Sequence, residues 1–231
     1  MNVVAAARSA AAEAIGTFFL VLIGPGAVML DARSGGHLGQ AGISLAFAFV
    51  ITAMVSAFGP VSGAHINPAV TIALWSVRRF PGRRVPLYVA AQCLGAIAAS
   101  LTLRSALGDA GSSGATLPAV TNASAAALES LMSFALMTVI MAAVTWRGPA
   151  VSLAPLAIGL TVGFCALTGG PMTGASMNPA RSLGPAIVSG HWRAHWIYWA
   201  CPIIGMIVAA RTWEVARPTC DPDGARSPES H

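Results

Sequence analysis

Six stretches of the chain are apolar for long enough to cross a lipid bilayer: Ala11 to Leu30, Ala41 to Phe58, Val85 to Leu107, Ser124 to Thr145, Ala150 to Thr168 and His195 to Trp213. A bilayer core of roughly 30 Å takes about 20 residues of helix. Hydrocarbon offers no partner to backbone N–H and C=O groups, so a segment inside it must satisfy them within itself, as a helix does. The expected fold is therefore an all-α membrane protein with six transmembrane helices. Composition agrees, with 55% hydrophobic residues, 9% charged residues and a mean hydropathy of +0.70. The first window carries Glu13, has only Arg8 before it and lacks a small-residue cleavage site. It is expected to remain as the first helix rather than to be removed as a signal peptide.

The net charge of +5 comes from arginine, since the chain has no lysine. These arginines lie between apolar stretches and form no groove-like cluster with aromatics, which argues against a nucleic-acid partner. Arg8, Arg78, Arg79, Arg83, Arg84, Arg147, Arg211, Arg217 and Arg226 fall on the side of the termini, and Arg33, Arg104 and Arg193 fall opposite. Cytoplasmic loops carry the excess of positive charge, so both termini of this multi-pass cell-membrane protein are expected in the cytoplasm. Trp146, Trp192, Trp196, Trp199 and Trp213 stand near span ends, where amphipathic rings meet the headgroups. Cys93, Cys165, Cys201 and Cys220 show no metal-site or redox spacing, so neither disulfide, metal nor cofactor is expected. Residues 1–216 read as one domain embedded in membrane lipid. The polar stretch 217–231, with Pro218, Pro222 and Pro228, reads as a disordered cytoplasmic tail.

The six windows are two copies of three. Glu13 and Phe18 recur as Glu129 and Phe134; Gly59-Pro60 and Asn67-Pro68-Ala69 recur as Gly170-Pro171 and Asn178-Pro179-Ala180; Tyr88 and Gly95 recur as Tyr198 and Gly205. The copies cover about 11–107 and 124–215. An odd number of spans per copy turns the second upside down, giving an inverted repeat. Each Asn-Pro-Ala opens a short apolar run, Val70 to Trp75 or Ser182 to Val188. A run of about ten residues makes about 15 Å of helix, half a bilayer core. Asn caps a helix N-terminus and Pro fits its first turn. Two re-entrant half-helices are thus expected to enter from opposite faces and meet near the midplane, and irregular backbone at that depth implies a lumen.

Two helix N-termini facing each other present positive partial charge, which repels cations and protons. Each Asn is expected to cap with its carboxamide oxygen and to offer its NH₂ to the lumen. The repeat breaks at Arg181, which stands where the first copy has Val70. An arginine within the membrane costs about 2.5 to 3.5 kcal/mol even on the lower scales, so Arg181 is read as pore-lining, with pairing to a buried carboxylate as the alternative. Glu13 and Glu129 are read as structural carboxylates that accept hydrogen bonds from the re-entrant loops; a proton relay is the other possibility. His65 is placed in the cytoplasmic vestibule, against the alternative of a satisfied structural histidine. Gly159 and Gly163, with Ala48 and Thr52 as counterparts, are small residues at helical spacing that let helices approach. Asn122-Ala-Ser124 matches a glycosylation sequon.

The runs Ser62-Gly-Ala-His-Ile-Asn-Pro-Ala-Val and Thr173-Gly-Ala-Ser-Met-Asn-Pro-Ala-Arg-Ser resemble the paired signatures of aquaporins and aquaglyceroporins, the major intrinsic protein superfamily. The resemblance implies an hourglass fold, a homotetramer with one pore per subunit, and passive permeation of water or small neutral solutes. It also implies a narrow filter whose four positions, counted from the motifs, are Phe47, Ala166, Ala175 and Arg181. Water-specific members typically carry His at the position of Ala166, and Thr or Cys at that of Ala175. Glycerol facilitators usually carry Trp at the position of Phe47, Phe at that of Ala175, and Asp where Ser182 stands. The sequence follows neither pattern. Residues 174–188, with Arg79-Phe80-Pro81 and Val85-Pro86, are most similar to the nodulin-like branch, whose members often pass glycerol, urea or metalloid hydroxides. Two alanines widen the constriction and make one wall apolar, so a multi-solute pore is expected, with a water-selective pore as the alternative. A secondary transporter lacks a second buried ionisable group beside Arg181, an adhesion role lacks long outer loops, and no nucleophile, acid and base constellation suggests an enzyme.

Overall fold

The computed structural model describes residues 3–145 and 148–216, all helix, turn or loop. Trp146, Arg147 and the stretch 217–231, with Cys220, Arg217 and Arg226, lie outside the described residues. Six long helices are present: α1 (Val3–Arg33), α2 (Gly39–Ser62), α4 (Val85–Leu107), α5 (Asn122–Ala143), α6 (Ala154–Thr173) and α8 (Ile197–Ala216). Between them lie two short ones, α3 (Pro68–Ser76) and α7 (Pro179–Ser189). Five of the long helices are long and apolar enough to span a membrane; in α8, 20 residues long, Arg211 and Glu214 dilute the apolar run. Helix α1 begins well before the apolar window, because Val3 to Ala10 is Ala- and Val-rich and nothing there breaks a helix. Large side chains such as Phe49, Leu94 and Leu131 are exposed on the outer faces, as a lipid-facing surface requires.

The two copies pack alike. Helix α1 lies along α4 and α5 along α8, while α2 and α6 join the halves across the middle. Gly95 of α4 sits directly on the backbone carbonyl of Ala14 in α1, and Gly205 of α8 on that of Ser130 in α5; a methyl at either glycine would overlap backbone. Gly159 of α6 faces Thr52 and the Ala48 carbonyl of α2, and Gly163 faces the Ala48 methyl, so a methyl at either would also overlap a neighbour. The half-helices are exchanged between halves: α3 packs on α8 and α7 on α4.

Each re-entrant loop begins where a long helix ends in a left-handed glycine, Gly63 (φ 89°) after α2 and Gly174 (φ 87°) after α6. Their N–H groups bond the carbonyls of Gly59 and Gly170. Left-handed residues continue into the loops at Ala64 and Ile66, and again at Ala175 and Met177. Positive φ at such side chains is disfavoured and persists only where surrounding contacts fix it. The same pattern in both copies places Asn67 and Asn178 at the N-terminal tips of α3 and α7, in extended conformation.

Candidate functional site

The fixing contacts come from the two buried glutamates. Glu13 accepts from the backbone N–H groups of His65 (2.9 Å) and Ile66 (2.6 Å), from the Ser62 hydroxyl (2.7 Å) and from the Gln92 amide (2.7 Å). Glu129 accepts from the N–H groups of Ser176 and Met177, both at 2.9 Å, and from the Thr173 hydroxyl at 2.7 Å. A carboxylate is acceptor-only, so it suits a loop whose irregular backbone leaves N–H groups without partners. Tyr88 and Tyr198 add matching bonds, donating to the carbonyls of Ser62 and Thr173.

Asn67 caps α3 by accepting from the Ala69 N–H (2.9 Å), and Asn178 caps α7 by accepting from those of Ala180 (3.0 Å) and Arg181 (3.3 Å). Pro68 and Pro179 occupy the first helical position of each half-helix, as the triplets predict. The amide nitrogens differ from the expectation. Asn67 donates to the carbonyl of Met177 and Asn178 to that of Ile66, each at 2.8 Å, so one N–H of each NH₂ ties the two loops together. The second N–H of each remains available, and both residues border the lumen.

That lumen is a cavity of about 350 Å³ bordered by Phe47, His65, Asn67, Ala175, Asn178 and Arg181 together with aliphatic side chains of α1, α2, α5 and α6. Arg181 is 3% exposed, donates from Nη1 to the carbonyl of Gly114 (2.9 Å), and holds its guanidinium carbon 5.3 Å from the centre of the Phe47 ring. Its Nε has no protein partner. Among the described residues it makes no salt bridge; those present are Arg79 with Glu214 and Arg104 with Asp109. His65 does two things at once, bordering the cavity while its Nδ1 lies 3.0 Å from the Thr71 hydroxyl and its ring packs on Phe80 and Tyr88.

Of the four filter positions, the structure brings Phe47, Ala175 and Arg181 to the cavity, and Ala166 does not border it. Ala166 is buried one turn beyond Val162, which does; its methyl is short, and its carbonyl accepts the side-chain amide of Gln40 at 2.6 Å. Gln40, Gly114 and Gln92 were not singled out by sequence. Gln40 has no like residue at its repeat position, Gly114 lies between the two copies, and Gln92 aligns with Pro202 in the repeat.

Two caps meeting end to end beside a cavity that both border, held by an inverted repeat of membrane helices, define a multi-pass membrane channel. Residues 1–213 match the family model described as Major intrinsic protein, and the chain belongs to that family. It is 43% identical over 212 residues to Nodulin-26 of Glycine max, covering 91% of this chain and 78% of that one. It is 42% identical over 212 residues to Aquaporin NIP1-1 of Oryza sativa subsp. japonica, covering 91% and 75%. These relatives place it in the nodulin-like branch of the aquaporins. The fold is similar to that of the aquaglyceroporin from Plasmodium falciparum, with a TM-score of 0.83 at 24% identity over 91% of this chain and 96% of that one. The chain is a passive channel for water and small solutes.

Proposed function

We propose that this channel passes small uncharged solutes, such as glycerol, urea or metalloid hydroxides, as well as water, and that it excludes protons and ions. The observation that carries the solute range is the wall chemistry beside Arg181: Phe47 and Ala175 border the cavity and their side chains are carbon alone, while the guanidinium Nε has no protein partner. A polyol can lay its carbon edge on that wall and its hydroxyls on Arg181. Phe47, Ala166, Ala175 and Arg181 act as the selectivity filter, Ala166 by being too small to narrow it. His65 lines the cytoplasmic vestibule.

Proton exclusion rests on the half-helix tips. Each carries roughly half a positive charge, and a water between them meets two amide N–H donors, one from Asn67 and one from Asn178. A water accepting from both cannot also accept from its neighbour in the file, which interrupts the relay. Glu13 and Glu129 are structural, since their oxygens are occupied by loop donors. Residues 1–216 carry the channel as a homotetramer in the cell membrane with both termini cytoplasmic, and it performs no chemistry on what it passes.

Stopped-flow light scattering on proteoliposomes tests this by comparing water efflux with glycerol, urea and arsenite uptake in wild type and Ala166→His. Solute uptake that the histidine abolishes while water flow survives is the expected result. Fast water flow without solute uptake above empty liposomes would make the pore water-selective.

A further inference from the structure

Gly95, Gly205 and Gly159 pack where neighbouring helices bring backbone close. A methyl at Gly95 would strike the Ala14 carbonyl, one at Gly205 the Ser130 carbonyl, and one at Gly159 the backbone of Ala48. Gly24 is different. It is buried in α1, and the three atoms nearest to a methyl there all belong to the ring of Phe47, with Cζ at 2.6 Å and Cδ1 at 2.7 Å. All three are side-chain atoms of α2. The missing side chain at position 24 leaves a recess for one aromatic ring.

We infer that Gly24 is a selectivity-determining residue of this channel: by lacking a side chain it lets Phe47 lie back against α1, and so sets how far that ring projects toward Arg181. This rests on the reading of Phe47 and Arg181 as filter residues. The ring has Gly24 behind it and the guanidinium 5.3 Å from its centre, with the cavity on that side. A side chain at position 24 takes the recess, and the ring must turn out of it, toward the lumen that Phe47 borders. That movement removes width from the constriction.

The inverted repeat supplies an internal comparison. Gly24 follows Glu13 by eleven residues, as Ile140 follows Glu129; Phe47 precedes Asn67 by twenty, as Ile158 precedes Asn178. In the second copy the equivalent pair is thus two isoleucines, and both border the cavity. Only where the ring stands beside Arg181 is its partner on the preceding helix reduced to a hydrogen.

Gly24→Ala is expected to fold, because the displaced atoms are the far end of a side chain. It should lower the ratio of glycerol to water permeability in proteoliposomes by about tenfold. Adding Phe47→Ala to Gly24→Ala should return the ratio to the wild-type value or above it. A Gly24→Ala ratio equal to that of wild type, or a double variant no better than the single, overturns the inference. If Gly24→Ala does not fold, recovery of its yield and Tm by Phe47→Ala supports the recess, and no recovery overturns it. Phe47→Ala and Ala166→His are measured alongside: if they shift the ratio and Gly24→Ala does not, only the role of Gly24 fails, and if none does, the filter assignment fails. Should wild type pass water alone, water permeability becomes the readout, reduced by Gly24→Ala and restored in the double variant.

Discussion

The side-chain amide of Asn67 donates to the backbone carbonyl of Met177 at 2.8 Å, joining the first re-entrant loop to the second. Its inverted counterpart runs from Asn178 to Ile66 at the same distance. Each asparagine thus caps its own half-helix with oxygen and anchors the opposite loop with nitrogen. The two roles separate on substitution. Asn67→Ser keeps an oxygen able to cap but has no donor that reaches Met177, so it should cost about 1 kcal/mol, the net worth of one hydrogen bond. Asn67→Ala loses the cap as well and should cost about 2 kcal/mol. Thermal unfolding of the purified channel should rank wild type above Asn67→Ser and Asn67→Ser above Asn67→Ala.

The glutamates make a second test. Glu129 accepts three bonds spread over both oxygens, and two of the donors are the N–H groups of Ser176 and Met177. In Glu129→Gln one acceptor becomes a donor, and at least one N–H that cannot turn away is left facing it. An unpaired buried N–H costs about 1 to 3 kcal/mol, so Glu129→Gln and Glu13→Gln should each lower Tm and yield. Water flow per folded channel and the absence of proton leak should survive. A selective change in proton flux in either variant would instead indicate a relay through the carboxyl.

Helix contacts at Gly95 and Gly205 are backbone to backbone, unlike the one at Gly24. Gly95→Ala must push α4 away from Ala14, and neither side has a side chain to yield. Overpacking of this kind costs about 1 to 3 kcal/mol. Gly95→Ala and Gly205→Ala should lower stability with little change in the glycerol-to-water ratio of the fraction that folds. Measured beside Gly24→Ala, they separate glycines that shape the bundle from the one assigned to the filter.

Much of this was legible in the sequence because the membrane restricts the answer. The apolar windows give the long helices, the repeat gives their inversion, and Asn-Pro followed by a short apolar run gives α3 and α7. What stayed hidden depends on contacts made only after the halves meet. The carbonyls of Met177 and Ile66 are generic groups, and only the closed hourglass sets each beside the other loop's asparagine. The support of Arg181 comes from Gly114, in an irregular stretch with left-handed backbone at Gly111, Ser112 and Ser113 that follows no helical or strand period. Motif spacing puts Ala166 on the filter, yet spacing says nothing of how far a methyl reaches. Gln40, which holds the Ala166 carbonyl, sits in the first turn of α2 and reads as one polar residue at a helix start.

Arg181 offers the sharpest electrostatic test, because the repeat itself supplies the replacement. Arg181→Val gives the second half-helix the residue that the first has at Val70, so the backbone already accommodates a branched apolar side chain at this position. The change removes the guanidinium from the lumen and leaves the Gly114 carbonyl without its donor. The constriction widens, so uptake of glycerol and urea should rise. One of the two barriers to cations is lost, but the half-helix ends and the paired asparagines remain, each end still carrying roughly half a positive charge. Vesicles loaded with a pH-sensitive dye should therefore show a small proton leak in Arg181→Val and none in wild type. Adding Asn67→Asp to Arg181→Val places a carboxylate where a donor had faced the lumen, and the leak should then grow further. Proton flux unchanged in both variants would mean that neither the guanidinium nor the half-helix tips set the barrier.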